Sequence, residues 1–228
     1  MSVILCLETA TTVCSVAIFA DKQLLGCQEY RIDKSHSSLL PSIIDTTLHA
    51  LSLSKADLTA IAVSEGPGSY TGLRIGTSIA KGLCYALEIP LLSVNTLYAM
   101  AAEVNKFNTK GAFLCPMIDA RRMEVYACVI NSEGGVEQET APQIIDEHSF
   151  SEHLRKHEVW FFGNGSDKCK ELIGKNTNAV FISDVVPSAK SMGELAVEQL
   201  QSSSCKDLAY FEPFYLKEFR ATKPKSVS

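Results

Sequence analysis

The sequence predicts an α/β protein built as a duplicated, two-part fold, and three observations carry that reading. Three β-rich runs separated by short polar turns open the chain. Strands and helices then alternate. The opening pattern returns in the second half, as an internal duplication would require.

Ser2 to Glu8, Val13 to Ala20 and Leu24 to Tyr30 form a predicted three-strand meander, turning at Thr9 to Thr12 and Asp21 to Gln23. Ser38 is read as the N-cap of a helix over 39–51, where Leu39, Leu40, Ile43, Ile44, Leu48 and Leu51 recur at helical spacing. Pro41 then falls in the first turn, where its missing N–H costs nothing. Leu58 to Ser64 reads as a fourth strand, Gly72 to Leu87 as a second helix, Pro90 to Val94 as a short strand and Thr96 to Val104 as a third helix. The polar, turn-rich stretch Asn105 to Gly111 marks the boundary between an N-terminal subdomain (1–106) and a C-terminal one (107–228) whose tail packs back.

Beyond it, CPMIDARRMEVYACVI matches ILCLETATTVCSVAIF at an offset of 111, with Asp119 over Glu8. A strand ending in Gly66-Pro67-Gly68-Ser69 is echoed by Val159 to Phe162 followed by Gly163-Asn164-Gly165-Ser166, each read as leading into a helix. Coincidence between common strand-to-helix signals is the competing explanation.

Of 228 residues, 46% are hydrophobic and 21% charged, enough apolar content for a sizeable core and too much for a disordered chain. With 21 Lys and Arg against 26 Asp and Glu, the net charge is -5, which argues against an autonomous nucleic-acid binder. Eight scattered cysteines with no C-x-x-C pair read as buried, reduced thiols of a cytoplasmic protein. With neither a basic leader nor a long apolar run, no secretion or membrane insertion is expected.

The segment EGPGSYTGLRIG bears most on function. Gly66, Gly68, Ser69 and Thr71 mark a tight turn opening a helix, a geometry that suits an anion or equally a purely structural turn; it is neither a Walker A loop nor G-x-G-x-x-G. Gly72, Gly76 and Ala80 form a small-residue stripe flanked by Leu73, Ile79 and Leu83, which could admit a neighbour from the same chain or a partner helix. Glu8 with Thr9, and Asp119, end matching strands and could face each other across a cleft to hold hydrated Mg²⁺ and a nucleotide phosphate; Asp119 could instead pair with Arg121 or Arg122. His153 and His157, with His148 nearby, have i, i+4 spacing for a metal, but DEHSFSEHLRKHE reads as a solvated helix without a completed ligand set. The tail carries Tyr210, Phe211, Phe214, Tyr215 and Phe219 among Lys217, Arg220, Lys223 and Lys225, a mixture suited to RNA or to packing on the body.

GPGSYTGLRIG, taken with ILCLETATTVCSVAIF, MIDARRMEVYA and PFYLKEF, strongly resembles the bacterial TsaB (YeaZ) family, and the resemblance spans nearly the whole chain. It implies the actin-like (ASKHA, RNase H-like) duplicated fold, two subdomains each with a mixed sheet flanked by helices. It also implies a role in making N6-threonylcarbamoyladenosine (t6A) at position 37 of tRNAs, as a non-catalytic partner of a TsaD-type transferase. In the transferase an H-x-x-x-H pair holds the metal; the matching stretch here is VNTLYAM, with Thr96 and Met100 at the ligand positions, and neither replaces imidazole. The implied partners are the transferase, docked through the first two helices (Leu39, Ile43, Gly72, Leu73, Gly76, Ile79, Ala80, Leu83), a TsaE-type ATPase, and tRNA indirectly. No cofactor of its own is implied; ATP or ADP would lie at the complex interface. Two departures from the family pattern are Glu8 for Asp and Lys217 for Arg, the latter losing bidentate recognition. A free-standing ATPase or kinase using Glu8 and Asp119, and a chain that pairs only with its own copy, are the rival readings.

Overall fold

In a computed structural model, residues 2–32 and 36–216 are described. The first sheet holds β1 (Val3–Glu8), β2 (Val13–Ala20), β3 (Gln23–Arg31), β4 (Ala60–Gly66) and β5 (Leu91–Asn95), in the order β3-β2-β1-β4-β5. The second holds β6 (Phe113–Asp119), β7 (Glu124–Ile130), β8 (Val136–Ile144), β9 (Val159–Phe162) and β10 (Ala179–Ile182), ordered β10-β9-β6-β7-β8. The second order is the first one reversed in writing, strand for matching strand. Within each sheet the meander is antiparallel, and the first strand pairs in parallel with the fourth. Two common turn signals meeting by chance do not reproduce five strands in one order. The halves are a structural duplication.

Strand periodicity explains why β1 is apolar throughout. Val3, Leu5 and Leu7 enter one core with α1 (His36–Ala50) and α2 (Tyr70–Leu87), while Ile4 and Cys6 enter another with α6 (Gly193–Gln201). In the second sheet, Val125, Ala127 and Val129 face Phe150, Leu154 and Ile173, whereas Cys128 and Ile130 face α3 (Thr96–Asn105). Helix α3 therefore places Leu97, Met100, Ala101 and Val104 on the second sheet, and α6 places Ala196 and Val197 on the first. Each half's last helix covers a sheet of the other half.

Several expectations need correction. Helix α1 starts at His36 rather than after Ser38, because the buried His36 anchors its Nε2 on the Val13 carbonyl at 3.2 Å. Pro41 is consequently in the second turn, where it removes the N–H that Ser37 would accept. Helix α2 starts at Tyr70 rather than Gly72, capped by Ser69, whose hydroxyl accepts the Gly72 N–H at 3.3 Å. The stretch 146–158 is no long solvated helix. Only α4 (Ser151–Leu154) forms, pinned by Leu154 in the core and by His157, which stacks on Phe113 with ring centroids 3.9 Å apart. After Gly163–Ser166 only a 3₁₀ turn (Asp167–Cys169) and α5 (Lys170–Ile173) follow. Six cysteines are buried, but Cys27 and Cys205 are exposed.

The tail straps back along α2. Leu208 and Phe211 join the first core, Lys81 Nζ donates to the carbonyls of Ala209 (3.0 Å) and Phe211 (3.2 Å), and the Phe214 N–H donates to the Glu65 carbonyl (2.7 Å). Tyr210 stays in solvent. Lys217, Phe219, Arg220, Lys223 and Lys225 lie outside the described residues.

Candidate functional site

The turn joining β1 to β2 sits directly on the glycine-rich start of α2. A β-carbon on Gly68 would stand 2.3 Å from the Ala10 carbonyl oxygen, one on Gly72 2.1 Å from that of Thr9, and one on Gly76 2.4 Å from the Thr9 hydroxyl. The Ser69 N–H donates to the Ala10 carbonyl at 2.6 Å. Glycine is required at 68 and 72 because a backbone from the same chain occupies the side-chain space. The loop's spacing is accounted for by this seat, so it needs no anion to explain it. Gly66 has φ +109°, and Thr71 is exposed.

Glu8 is fully buried in this seat. Its Oε1 accepts the Ala10 N–H at 2.6 Å, Oε2 has no partner among the described residues, and burial pushes the carboxyl up to about 7. Asp119, 47% exposed at the matching position, pairs with Lys168, whose Nζ also donates to the carbonyls of Arg122 (2.7 Å) and Glu124 (2.6 Å). Neither arginine of the turn is its ion-pair partner; both hold left-handed φ instead. One acid is enclosed and the other is neutralised, so the pair does not fit a hydrated Mg²⁺ with a nucleotide phosphate. Among the described residues no cluster of three His, Cys, Asp or Glu side chains suits a metal, and His153 and His157 flank Phe113.

The small-residue stripe is filled in the same way. Gly72, Leu73, Gly76 and Ala80 of α2 and Ile43 of α1 are buried within the chain, while Leu39, Ile79 and Leu83 remain half-buried on the first core. The outward face of α2 instead carries Thr71, Ser78, Gly82, Tyr85 and Ala86. Tyr85 is 80% exposed, and a β-carbon on Gly82 would meet nothing within 4 Å. Sequence reasoning missed this face, although Ser78, Gly82 and Tyr85 lie at helical spacing opposite the stripe.

Residues 30–225 match the family model described as TsaD, tRNA N6-adenosine threonylcarbamoyltransferase. The chain is 31% identical to the tRNA threonylcarbamoyladenosine biosynthesis protein TsaB of Escherichia coli, covering 96% of both chains. It belongs to the TsaB family. The TsaB of Bacillus subtilis is 29% identical, over 75% of this chain and 74% of that protein. The solved structure of YeaZ from Pseudomonas aeruginosa superposes with a TM-score of 0.81 at 25% identity, covering 95% of this chain and all of that one. The activator of 2-hydroxyisocaproyl-CoA dehydratase from Clostridium difficile, solved with ADPNP, shares the fold alone, at a TM-score of 0.53 and 8% identity. The actin-like architecture implied by the TsaB resemblance is thus the one observed.

At Thr96 and Met100, the two positions that the resemblance matches to the transferase's metal ligands, the chain has core residues. Thr96 is fully buried, and Met100 packs with Leu97, Leu114, Ile118 and Phe162, its methyl directed at Gly163.

Proposed function

We propose that this chain is a non-catalytic subunit in the formation of N6-threonylcarbamoyladenosine at position 37 of tRNAs, supporting a TsaD-type transferase in an assembly that includes a TsaE-type ATPase. The observation that carries the reading is the pair Thr96 and Met100: a thioether and an unpartnered hydroxyl sealed in a core leave no place for a metal-bound substrate. Family membership supports the pathway, and enclosure of Glu8 speaks against a free-standing ATPase. Docking would use the outward faces of α1 and α2 around Leu39, Ile79, Leu83, Gly82 and Tyr85. An exposed helix-interior glycine costs about 1 kcal/mol relative to alanine, and no neighbour in the chain accounts for Gly82. A closely approaching partner helix would. No helix among the described residues is long and apolar enough to cross a membrane. The cytoplasmic assignment rests on the tRNA substrate of the assembly.

The test supplies threonylcarbamoyl-adenylate and tRNA to the pure chain, to the transferase and to both. Modification only when the transferase is present, stimulated by this chain, is expected. Robust modification by the chain alone would refute the non-catalytic assignment.

A further inference from the structure

A cavity of about 270 Å³ opens on the side of the molecule where β3, the end of α3, β9 and the 184–191 loop converge. None of the residues discussed above as site or docking candidates lines it. Val104, Phe107, Trp160, Ile182 and Val185 give it apolar and aromatic walls. Phe107 is 72% exposed, a ring left outside the core at the lip. The Trp160 indole N–H is already committed to Glu158 at 2.7 Å, so toward a ligand the ring offers its π surface.

The charged lining is unbalanced. Arg31 is paired with Glu29 at 3.1 Å, and Lys190 with Glu103 at 3.6 Å. Both cations of the wall are therefore neutralised by carboxylates of the wall. The fifth charged group, Asp184, is solvent-exposed, has left-handed backbone, φ +62°, and has no ion pair or hydrogen bond among the described residues. Ser188 also lines the cavity, but its hydroxyl oxygen is buried beside the Cys27 thiol and is not offered to a ligand. A carboxylate without an ion pair and two aromatic rings lining one cavity select a positive charge carried on apolar atoms.

We propose that this cavity binds a small organic cation, an ammonium or guanidinium group on a short apolar stem, with Asp184 meeting the charge and Trp160 and Phe107 covering the stem. An anion would have to displace Glu29 or Glu103 from its partner, and a purely apolar ligand would gain nothing from the Asp184 charge.

Trp160 is the single tryptophan of the chain, so its fluorescence reports the cavity directly. The full-length protein is titrated with n-butylguanidinium and with its neutral analogue n-butylurea, and saturation-transfer NMR on the same samples checks contact with the ring. The expected result is a saturable response to the cation, at least about tenfold weaker for the urea and at least about tenfold weaker in Asp184→Asn. Asparagine tolerates left-handed φ, so that variant keeps the loop conformation. No saturation by the cation, equal response to the urea, or undiminished binding in a folded Asp184→Asn protein would overturn the assignment.

Discussion

The carbonyl oxygen of Thr9 lies 2.1 Å from where a β-carbon on Gly72 would stand. Two segments some sixty residues apart are thereby locked at backbone distance, and the start of α2 is defined by the turn it carries. Gly72→Ala must push that backbone away and is expected to cost about 1–3 kcal/mol. Gly82→Ala, with open space around the new methyl, should stabilise the isolated chain by up to about 1 kcal/mol through helix propensity. Urea denaturation of the two variants should give opposite signs; equal signs would contradict the seat described here.

The same geometry separates the two glycines as binding determinants. Gly76→Leu should lower the thermal midpoint of the isolated chain, since its first side-chain atom already meets the Thr9 side chain. Gly82→Leu and Tyr85→Glu should leave that midpoint nearly unchanged while abolishing co-elution with the transferase. Undiminished co-elution in both outward variants would move the docking surface off α2.

Glu8 makes stability depend on pH. Its folded carboxyl is raised from 4.5 to about 7, so the native state holds the proton more tightly than the unfolded chain. The associated stability is fully present below the unfolded value and is lost as pH rises through about 7. Across that window the loss is of order 3 kcal/mol. Glu8→Gln, which retains an acceptor for the Ala10 N–H, should flatten this part of the profile in urea melts at several pH values. Parallel profiles for the two proteins would show that the carboxyl is not buried neutral.

Lys168 ties Asp119 to two carbonyls of a turn whose Arg121 and Arg122 both have positive φ. Lys168→Met is expected to destabilise by about 1–3 kcal/mol, because the carbonyls and the carboxylate lose a shared donor. Hydrogen exchange should localise the loosening to 119–124. Unchanged protection there would mean the turn is held by other contacts.

Much of the fold was legible because β1, β2, α1 and α2 state their partners locally. The continuous apolar run of β1 and the helical spacing of Leu40, Ile43, Ile44 and Leu48 follow from one chain segment each. The duplication was readable for the same reason, with Asp119 standing where Glu8 stands. What sequence could not supply was the non-local part. The glycines at 68, 72 and 76 carry one signal whether an anion, a partner or the Thr9–Ala10 turn fills the space. The polar β8 gave no strand pattern, being an edge strand with exposed and half-buried residues. The segment around His153 looked helical by charge, and only the stacking of His157 on Phe113 shows why the chain turns away after one turn.

The exchange of α3 and α6 between the sheets bears on how the gene could be divided. Cleavage within 105–111 would leave an N-terminal fragment whose sheet lacks Ala196 and Val197, and a C-terminal fragment whose sheet lacks Leu97 and Met100. Each piece would expose the apolar face its counterpart had covered, so the two should be recovered together as a complementing pair and neither as a separate folded product. The two halves share a blueprint, yet the exchange predicts that they unfold as one cooperative unit.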